Sequence, residues 1–212
     1  MPFLAQRNNV AAAFIVAGRY TDAYHELRGV LDDLKHLFKL NGGDFGPCSE
    51  VKAKAFQVQP LTIPCSQIDE TCFFDSPMLL RGSQDAEETI EGCSCVCSTS
   101  LFNMGLVCQL VSGQAHRSFT EKRRWFLQAR TYYAQAYEIS KMIGSSLLST
   151  ALCNNLMEFS FEEADTDSVR FWKSEFNHCM ASISMDTPSD VWVHFSIVQV
   201  YFLPSLQCAR AA

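Results

Sequence analysis

Three cysteines at alternate positions are the residues of this chain with the most evident capacity for chemistry. On an extended segment Cys93, Cys95 and Cys97 would point to one side, and three thiolates together are suited to a soft metal such as zinc. Zinc loops usually separate their ligands by two to four residues and need a fourth ligand, so reduced thiols are the favoured interpretation. A metal- or thiol-dependent protein is the alternative, with the fourth ligand drawn from Cys65, Cys72 or His116.

The other polar residues form no catalytic constellation. His25 and His36 share a helix face but lie about three turns apart, which is too far to share a ligand. Adjacent acids such as Glu162 and Glu163 point in different directions on a helix, so they are interpreted as a solvated helix end. The sequence contains no phosphate-binding glycine loop, zinc-protease motif or serine-hydrolase motif. We therefore predict no catalysis, no cofactor and no bound metal.

The charge distribution argues against nucleic-acid and membrane partners. The chain of 212 residues has a net charge of −6, and residues 41–100 alone carry nine acids against three bases. The remainder is balanced, so no part of the chain offers the basic field that phosphate backbones or anionic lipids require. The one basic cluster, residues 122–124, is interpreted as a solvated helix end.

The apolar content and the first residues favour an intracellular protein. No apolar run approaches the roughly 20 residues of a membrane-spanning helix, and the start of the sequence lacks the pattern of a secretory leader. Cys108, Cys153 and Cys179 lie among apolar neighbours at helical spacing, which favours buried, reduced thiols over disulfides. We expect a cytoplasmic or nuclear protein that is not secreted.

Apolar residues recur at helical spacing in three successive pairs of segments. The three pairs cover residues 4–40, 100–144 and 148–183. Residues 190–203 fit both a strand and a helix. We predict a helix, because a stack of helix pairs leaves an apolar end that a last helix can cover. Thr120 is the predicted N-cap of the fourth helix and Gly144 its predicted C-cap.

Residues 44–99 lack an apolar helix face and are predicted to be an acidic, cysteine- and proline-rich insertion, partly disordered, within a single domain of residues 1–212. Alternation in residues 56–59 and the β-forming residues 71–74 predict a short β-hairpin inside it. Residues 82–92 hold four acids and no base after Arg81, which predicts a mobile acidic loop.

The helix pairs superpose as repeats, each beginning at an asparagine: Asn9, Asn103 or Asn155. The positions that superpose are Ala23, Leu27 and Val30 in the first copy and Ala129, Tyr133 and Ala136 in the second. Each of the second set lies twelve residues further from its asparagine, so one insertion between the paired helices, around residues 111–123, aligns the two copies. The third copy needs no insertion, although Lys173 stands where an aromatic residue is expected.

This pattern resembles the tetratricopeptide repeat family, which places a small residue early in the second helix, a large residue four positions later and an alanine-like residue three beyond that. Gly18, Tyr20 and Gly105 also match it. The consensus tryptophan of the first helix is absent, so a related helical-hairpin repeat is the alternative. The resemblance covers about 130 residues and implies a mainly α fold, a short α-solenoid of antiparallel helix pairs whose first helices line a concave, peptide-accepting surface.

The resemblance also implies where a partner would bind. Asn8 and Asn154 match asparagines of the family's carboxylate clamp, but Ala5, Thr99 and Ala151 stand where its basic residues would be, so no clamp is predicted. We predict instead a protein-interaction module or scaffold. Its mainly apolar groove would bind an amphipathic helix or an extended apolar segment bearing a basic residue, from a protein partner or from the chain's own insertion or terminal helix. The predicted groove residues are Asn8, Ile15, Leu106, Gln109, Asn154, Glu158, Phe161 and Glu162.

Overall fold

The structure, a computed structural model, describes residues 4–40, 56–61, 73–82, 89–183 and 187–202. The helices within these residues are α1 (Leu4–Val16), α2 (Tyr20–Leu40), α3 (Ile90–Ser112), α4 (Phe119–Ile143), α5 (Ser146–Glu162), α6 (Thr166–Met180) and α7 (Ser189–Ile197), and a π-helical turn, Val198–Phe202, follows α7. The strands are β1 (Gln57–Pro60) and β2 (Met78–Arg81). The described residues fall into two compact units, the first drawn from Met1–Leu61 and Ser76–Gly144 and the second from Thr62–Asp75 and Ser145–Ala212.

The paired helices predicted from the sequence are confirmed. In the first unit α1 packs on α2 and α3 packs on α4, and in the second unit α5 packs on α6. The described residues are therefore mainly helical, with a small antiparallel sheet. The finer expectation, that the pairs stack as an α-solenoid, stays a prediction.

The ends of the fourth helix follow ordinary capping chemistry. Ser118 accepts a hydrogen bond from the N–H of Glu121, and the Glu121 carboxylate accepts one from the N–H of Ser118, which together form a capping box. The predicted cap, Thr120, therefore lies inside α4. At the other end Gly144 has a φ of 65° and closes the helix as predicted, because glycine adopts this left-handed conformation without steric cost.

The repeat superposition places equivalent residues in equivalent environments. The fully buried superposed positions are Ala23, Leu27, Val30, Ala129, Tyr133 and Ala136. Gly105 allows α3 and α4 to approach closely, because a Cβ at this position would lie 2.7 Å from the ring of Tyr133. In the third copy Val169 is buried, while Lys173 is half-buried.

The twelve extra residues of the second copy are mostly helical. Helices α3 and α4 contain 23 and 25 residues, whereas α1 contains 13 and α2 contains 21. The connector between α3 and α4 covers only residues 113–118. The predicted insertion around residues 111–123 therefore lengthens a helix pair and adds little loop.

The short sheet is confirmed, but its second strand lies elsewhere than predicted. β1 pairs antiparallel with β2 in the first unit, with Val58 opposite Leu80 and Pro60 opposite Met78. β1 overlaps the alternating residues 56–59 and extends one residue beyond them, to Pro60. The second strand, β2, lies after residues 71–74 and includes none of them. The described part of that stretch, Phe73 and Phe74, is not part of the sheet.

The irregular insertion ends earlier than predicted. Helix α3 begins at Ile90, so the last ten residues of the predicted insertion 44–99 are helical. Cys93, Cys95 and Val96 are buried in one apolar cluster with residues of α1 and α2, and this burial stabilises a helix where an irregular segment was predicted. Residues 83–88 of the predicted acidic loop lie outside the described residues.

The helix predicted for residues 190–203 is confirmed in its described part, which ends in the π-helical turn. Val191, Phe195 and Val198 are buried at helical spacing, whereas Val193 is 56% exposed, which an alternating strand would not explain. In the second unit the ring of Phe195 stacks on Phe74 with their centroids 5.2 Å apart.

One helix among the described residues, α3, is long and apolar enough to cross a membrane, with a mean hydropathy of 1.4 over its most apolar window. The rest of the protein buries 78% of that window. Core helices of soluble proteins meet the same criteria of length and composition, so this feature is weak evidence for a membrane span.

Candidate functional site

Three asparagines among the described residues each pair with both main-chain groups of a single residue. Asn9 accepts a hydrogen bond from the N–H of Leu80 and donates to its carbonyl, both at 2.8 Å. In the same unit Asn103 accepts from the N–H of Met78 and donates to its carbonyl, again at 2.8 Å. A carboxamide carries one acceptor and one donor side by side, so each asparagine substitutes for the main chain of a neighbouring strand.

The second unit contains the same arrangement. Asn155 accepts a hydrogen bond from the N–H of Phe74 at 2.8 Å and donates to its carbonyl at 3.1 Å. Asn155, like the first two asparagines, is the residue at which its repeat begins in the superposition. We call Asn9, Asn103 and Asn155 the pairing asparagines. Their contacts recur at one repeat position, which a second asparagine precedes in the first and third repeats and Phe102 precedes in the second.

Strand β2 is hydrogen-bonded along both edges. The N–H of Leu61 donates to the carbonyl of Pro77 at 2.7 Å, and antiparallel partners alternate between hydrogen-bonded and non-hydrogen-bonded pairs. The main chain of Leu79 therefore faces β1, while the N–H and carbonyl groups of Met78 and Leu80 face away from β1 toward the pairing asparagines.

Asn8 reinforces the contact with Met78. This residue is fully buried on α1, and its side chain donates to the Met78 carbonyl at 3.1 Å. Its own oxygen accepts from Asn103 at 3.0 Å and from the hydroxyl of Ser100 at 3.2 Å. Asn8 therefore fixes the orientation of the Asn103 carboxamide and gives the Met78 carbonyl a second hydrogen-bond donor. In this buried network the polar groups are hydrogen-bonded to one another.

The side chains of β2 alternate in burial as its main chain alternates in pairing. Met78 is fully buried and Leu80 is 3% exposed, and Leu80 packs in the apolar cluster formed with α1, α2 and α3. Leu79 is half-buried and Arg81 is exposed. The site thus combines hydrogen bonds to the main chain with burial of two apolar side chains at alternate positions.

The predicted groove residues of the first unit have different environments. Asn8 contacts the extended segment directly. Ile15 and Leu106 are buried in the helical core, with exposed fractions of 4% and 0%. Gln109 accepts a hydrogen bond from the hydroxyl of Tyr133 at 2.7 Å, which ties α3 to α4.

The predicted groove residues of the second unit also differ in exposure. Asn154 is buried and donates to the pairing asparagine Asn155 at 3.2 Å. Glu158 is partly buried, and burial raises its pKa, with the nearby charge of Glu162 acting in the same direction. Phe161 is 58% exposed.

The pairing asparagines were absent from the predicted groove residues, although a signal for them was present. The superposition used Asn9, Asn103 and Asn155 only as its starting point. A polar residue that recurs at one position of otherwise apolar helices indicates a shared hydrogen-bonding role. The identity of its partners could not be read in the same way, because they are distant in sequence.

The cysteines do not have the geometry that the alternative, a metal site on an extended segment, would require. Cys93, Cys95 and Cys97 lie on a helix, so alternate positions point in different directions. Burial raises the pKa of Cys95 and of Cys97 to about 11, so both thiols are protonated at neutral pH. Among the described residues no three His, Cys, Asp or Glu side chains converge as metal ligands, and Cys65 and Cys72 lie outside them.

Comparison with known proteins adds no relative: no family model matches the chain, and no match is found among curated proteins or among solved structures.

Proposed function

We propose that this protein is an interaction module whose first repeat helices bind an extended polypeptide segment by pairing asparagine carboxamides with its main chain. The observation that carries this proposal is the recurrence of the same two-bond contact at the equivalent positions Asn9, Asn103 and Asn155. A short tetratricopeptide-like array of helix pairs is the architecture we propose for it. The proposal assigns the protein no catalysis and no cofactor.

Recognition of this kind needs no charged residue. The main chain of an extended segment is neutral, and each N–H and carbonyl that it buries must find a partner or cost about 1–3 kcal/mol. A carboxamide satisfies both groups at once. This chemistry fits helices that carry Ala5, Thr99 and Ala151 at the positions where a carboxylate clamp would place basic residues.

In the structure the segment on the asparagines of the first unit is the chain's own, and we call residues 76–82 the resident segment. Met78, Leu79 and Leu80 make it apolar, and the exposed Arg81 gives it one positive charge. It therefore has the character predicted for a ligand, an extended apolar segment bearing a basic residue. A partner with similar chemistry would make the same hydrogen bonds.

A variant whose residues 77–81 are replaced by glycine and serine, without change of length, tests the proposal. Adding a fluorescent peptide of residues 76–82 should give saturable binding in fluorescence anisotropy. Asn103→Asp in the same background should weaken the peptide by at least about tenfold, because a carboxylate cannot donate to the Met78 carbonyl. Asn177→Asp, at an exposed position of α6, is the matched control. Equal affinity in the Asn103 variant and its parent would contradict the proposal.

A further inference from the structure

We propose that Cys153 and Cys179 form a modification site, at which a peroxide oxidises the two adjacent thiols to a reversible disulfide that joins helices α5 and α6. Both residues lie in the second unit, on helices that pack against each other. Neither is in a disulfide in the structure. The pairing asparagines take no part in this chemistry, so the inference is independent of the proposed function.

The two thiols are in direct contact. Cys153 lies in the middle of α5 and Cys179 lies in the last turn of α6. A side-chain hydrogen bond joins them, with the Cys153 thiol as donor. An S–S bond, about 2.05 Å long, requires the sulfurs to approach further, and rotation about the Cα–Cβ bond of either residue supplies movement of this kind.

The two thiols differ in their access to solvent. Cys153 is fully buried, whereas Cys179 is half-buried. A dissolved oxidant therefore reaches Cys179 first, and Cys153 is held beside it for the second step. An accessible thiol next to a second, resolving thiol is the usual arrangement of a redox-sensitive cysteine pair.

The hydrogen bond also favours reaction at Cys179. Donation from Cys153 stabilises the Cys179 thiolate and lowers the pKa of Cys179, despite its partial burial and the charge of Glu175. The thiolate is the form that attacks an oxidant. On α3, in contrast, burial and the nearby Cys93 raise the pKa of Cys97 to about 11, so that thiol is protonated at neutral pH.

The oxidation takes two steps, and its oxidant is a peroxide, hydrogen peroxide in the simplest case. The Cys179 thiolate attacks one peroxide oxygen, the O–O bond breaks, and the departing hydroxide takes up a proton to become water, which leaves Cys179 as a sulfenic acid. The Cys153 sulfur then attacks the Cys179 sulfur, the S–O bond breaks, and hydroxide leaves with the Cys153 thiol proton as water. Two thiols and one peroxide thus give one disulfide and two water molecules.

The test treats the reduced, full-length chain with an equimolar amount of hydrogen peroxide at neutral pH, blocks the remaining thiols with iodoacetamide, and digests the product with trypsin and Asp-N. Asp-N separates Cys179 from Cys208, because it cuts before Asp186. Mass spectrometry should then detect residues 142–164 linked to residues 174–185 by a disulfide, and dithiothreitol should release both peptides.

Three variants assign the roles of the two thiols. Cys153→Ser keeps a hydrogen-bond donor beside Cys179 but has no sulfur, so the sulfenic acid should accumulate and label Cys179 with dimedone at least about fivefold more than in the unmodified chain. Cys179→Ser should abolish the link. Cys108→Ala, at a buried cysteine of α3, is the matched control and should leave the yield of the link unchanged.

Absence of the linked pair after peroxide treatment would overturn the proposal, whether Cys179 remains a thiol or stops at the sulfenic acid. A disulfide from Cys179 to Cys208, or to a second chain on a non-reducing gel, would overturn it as well. If Cys153→Ser loses its helical circular dichroism spectrum, Cys153→Ala replaces it and should likewise give a sulfenic acid without a link. Dimedone labelling that is no greater in the folded variant than in the unmodified chain would contradict the role of Cys153 as the resolving thiol.

Discussion

Asparagine is the side chain that the observed contacts require at position 103. Its oxygen accepts from the Met78 N–H while its nitrogen donates to the Met78 carbonyl and to Asn8. Aspartate lacks the donor, and leucine, which is similar in size, lacks both groups. The same requirement holds for Asn9 and for Asn155, so residue chemistry alone accounts for the recurrence of asparagine at three repeat positions.

The thiol of Cys179 should be more reactive than those of Cys95 and Cys108. A hydrogen bond from Cys153 lowers its pKa, and this effect outweighs its burial and the charge of Glu175. Burial raises the pKa of Cys95 to about 11 and that of Cys108 to about 12. Because the thiolate is the nucleophile, we expect limiting iodoacetamide to alkylate Cys179 before these two, as peptide mass spectrometry would detect. Earlier labelling of Cys95 or Cys108 would contradict this order.

Glu158 should destabilise the native protein at neutral pH. Its folded-state pKa is raised by burial and by the charge of Glu162, so the folded state binds its proton more tightly than the unfolded state does. At low pH the carboxyl is protonated in both states and costs nothing. The cost of ionising it in the folded state grows as the pH rises and is complete above the raised pKa. Glu158→Gln should therefore raise the urea midpoint near neutral pH, and the gain should vanish once the pH is well below about 4.5, where the carboxyl is protonated in both states.

Glu121 provides a comparison of opposite sign for that experiment. Hydrogen bonds from Ser118 lower its pKa, so its contribution to stability is present at neutral pH and is lost as pH falls through the lowered value. Glu121→Gln should accordingly lower the urea midpoint at neutral pH. A fall in stability for Glu158→Gln as well would contradict the proposed cost of burying that carboxyl.

The start of α3 lies within residues 82–92, the predicted acidic loop. Thr89 caps the helix by accepting a hydrogen bond from the N–H of Gly92 at 2.9 Å. Thr89→Ala should cost about 1 kcal/mol in the free energy of unfolding, measured by urea denaturation. Thr89→Ser, which keeps the acceptor, should cost much less. Replacement of residues 82–92 by a flexible linker removes the cap and the first turn, so we expect it to destabilise the protein.

The helices were predictable from the sequence because their apolar spacing reflects their burial directly. Ala23, Leu27 and Val30 recur at steps of four and three, and all are fully buried. The end of α4 followed from Gly144 in the same way. Its start was missed by two residues, because both Ser118 and Thr120 can act as caps and the capping box pairs Ser118 with Glu121.

Strand β2 and the candidate site were less predictable because distant residues create them. Met78, Leu79 and Leu80 show no polar alternation, since Leu79, on the face opposite Met78 and Leu80, is itself half-buried. The partners of this strand on the asparagine side, Asn9 and Asn103, come from helices α1 and α3. A repeated asparagine is visible in the sequence, whereas its pairing with a particular segment is a tertiary fact.

The protein has a net charge of −6, whereas the proposed binding site is built from neutral groups. This negative charge does not oppose the binding of a neutral apolar segment, but it repels a strongly acidic one at long range. Burial of two apolar side chains and main-chain pairing supply the specific contacts. Electrostatics should therefore have only a small effect on binding at the asparagines.

Salt provides the test of that conclusion. Raising NaCl from about 50 to about 500 mM shortens the range of charge interactions several-fold, yet neutral hydrogen bonds and apolar contacts are little affected. The affinity of the variant in which glycine and serine replace residues 77–81 for the peptide of residues 76–82 should change by less than about threefold across this range. A peptide with Arg81→Gln should bind equally well, because Arg81 is exposed on β2. A loss of tenfold or more with salt, abolished by Arg81→Gln, would instead place an acidic surface in contact with the arginine and make charge the dominant element of recognition.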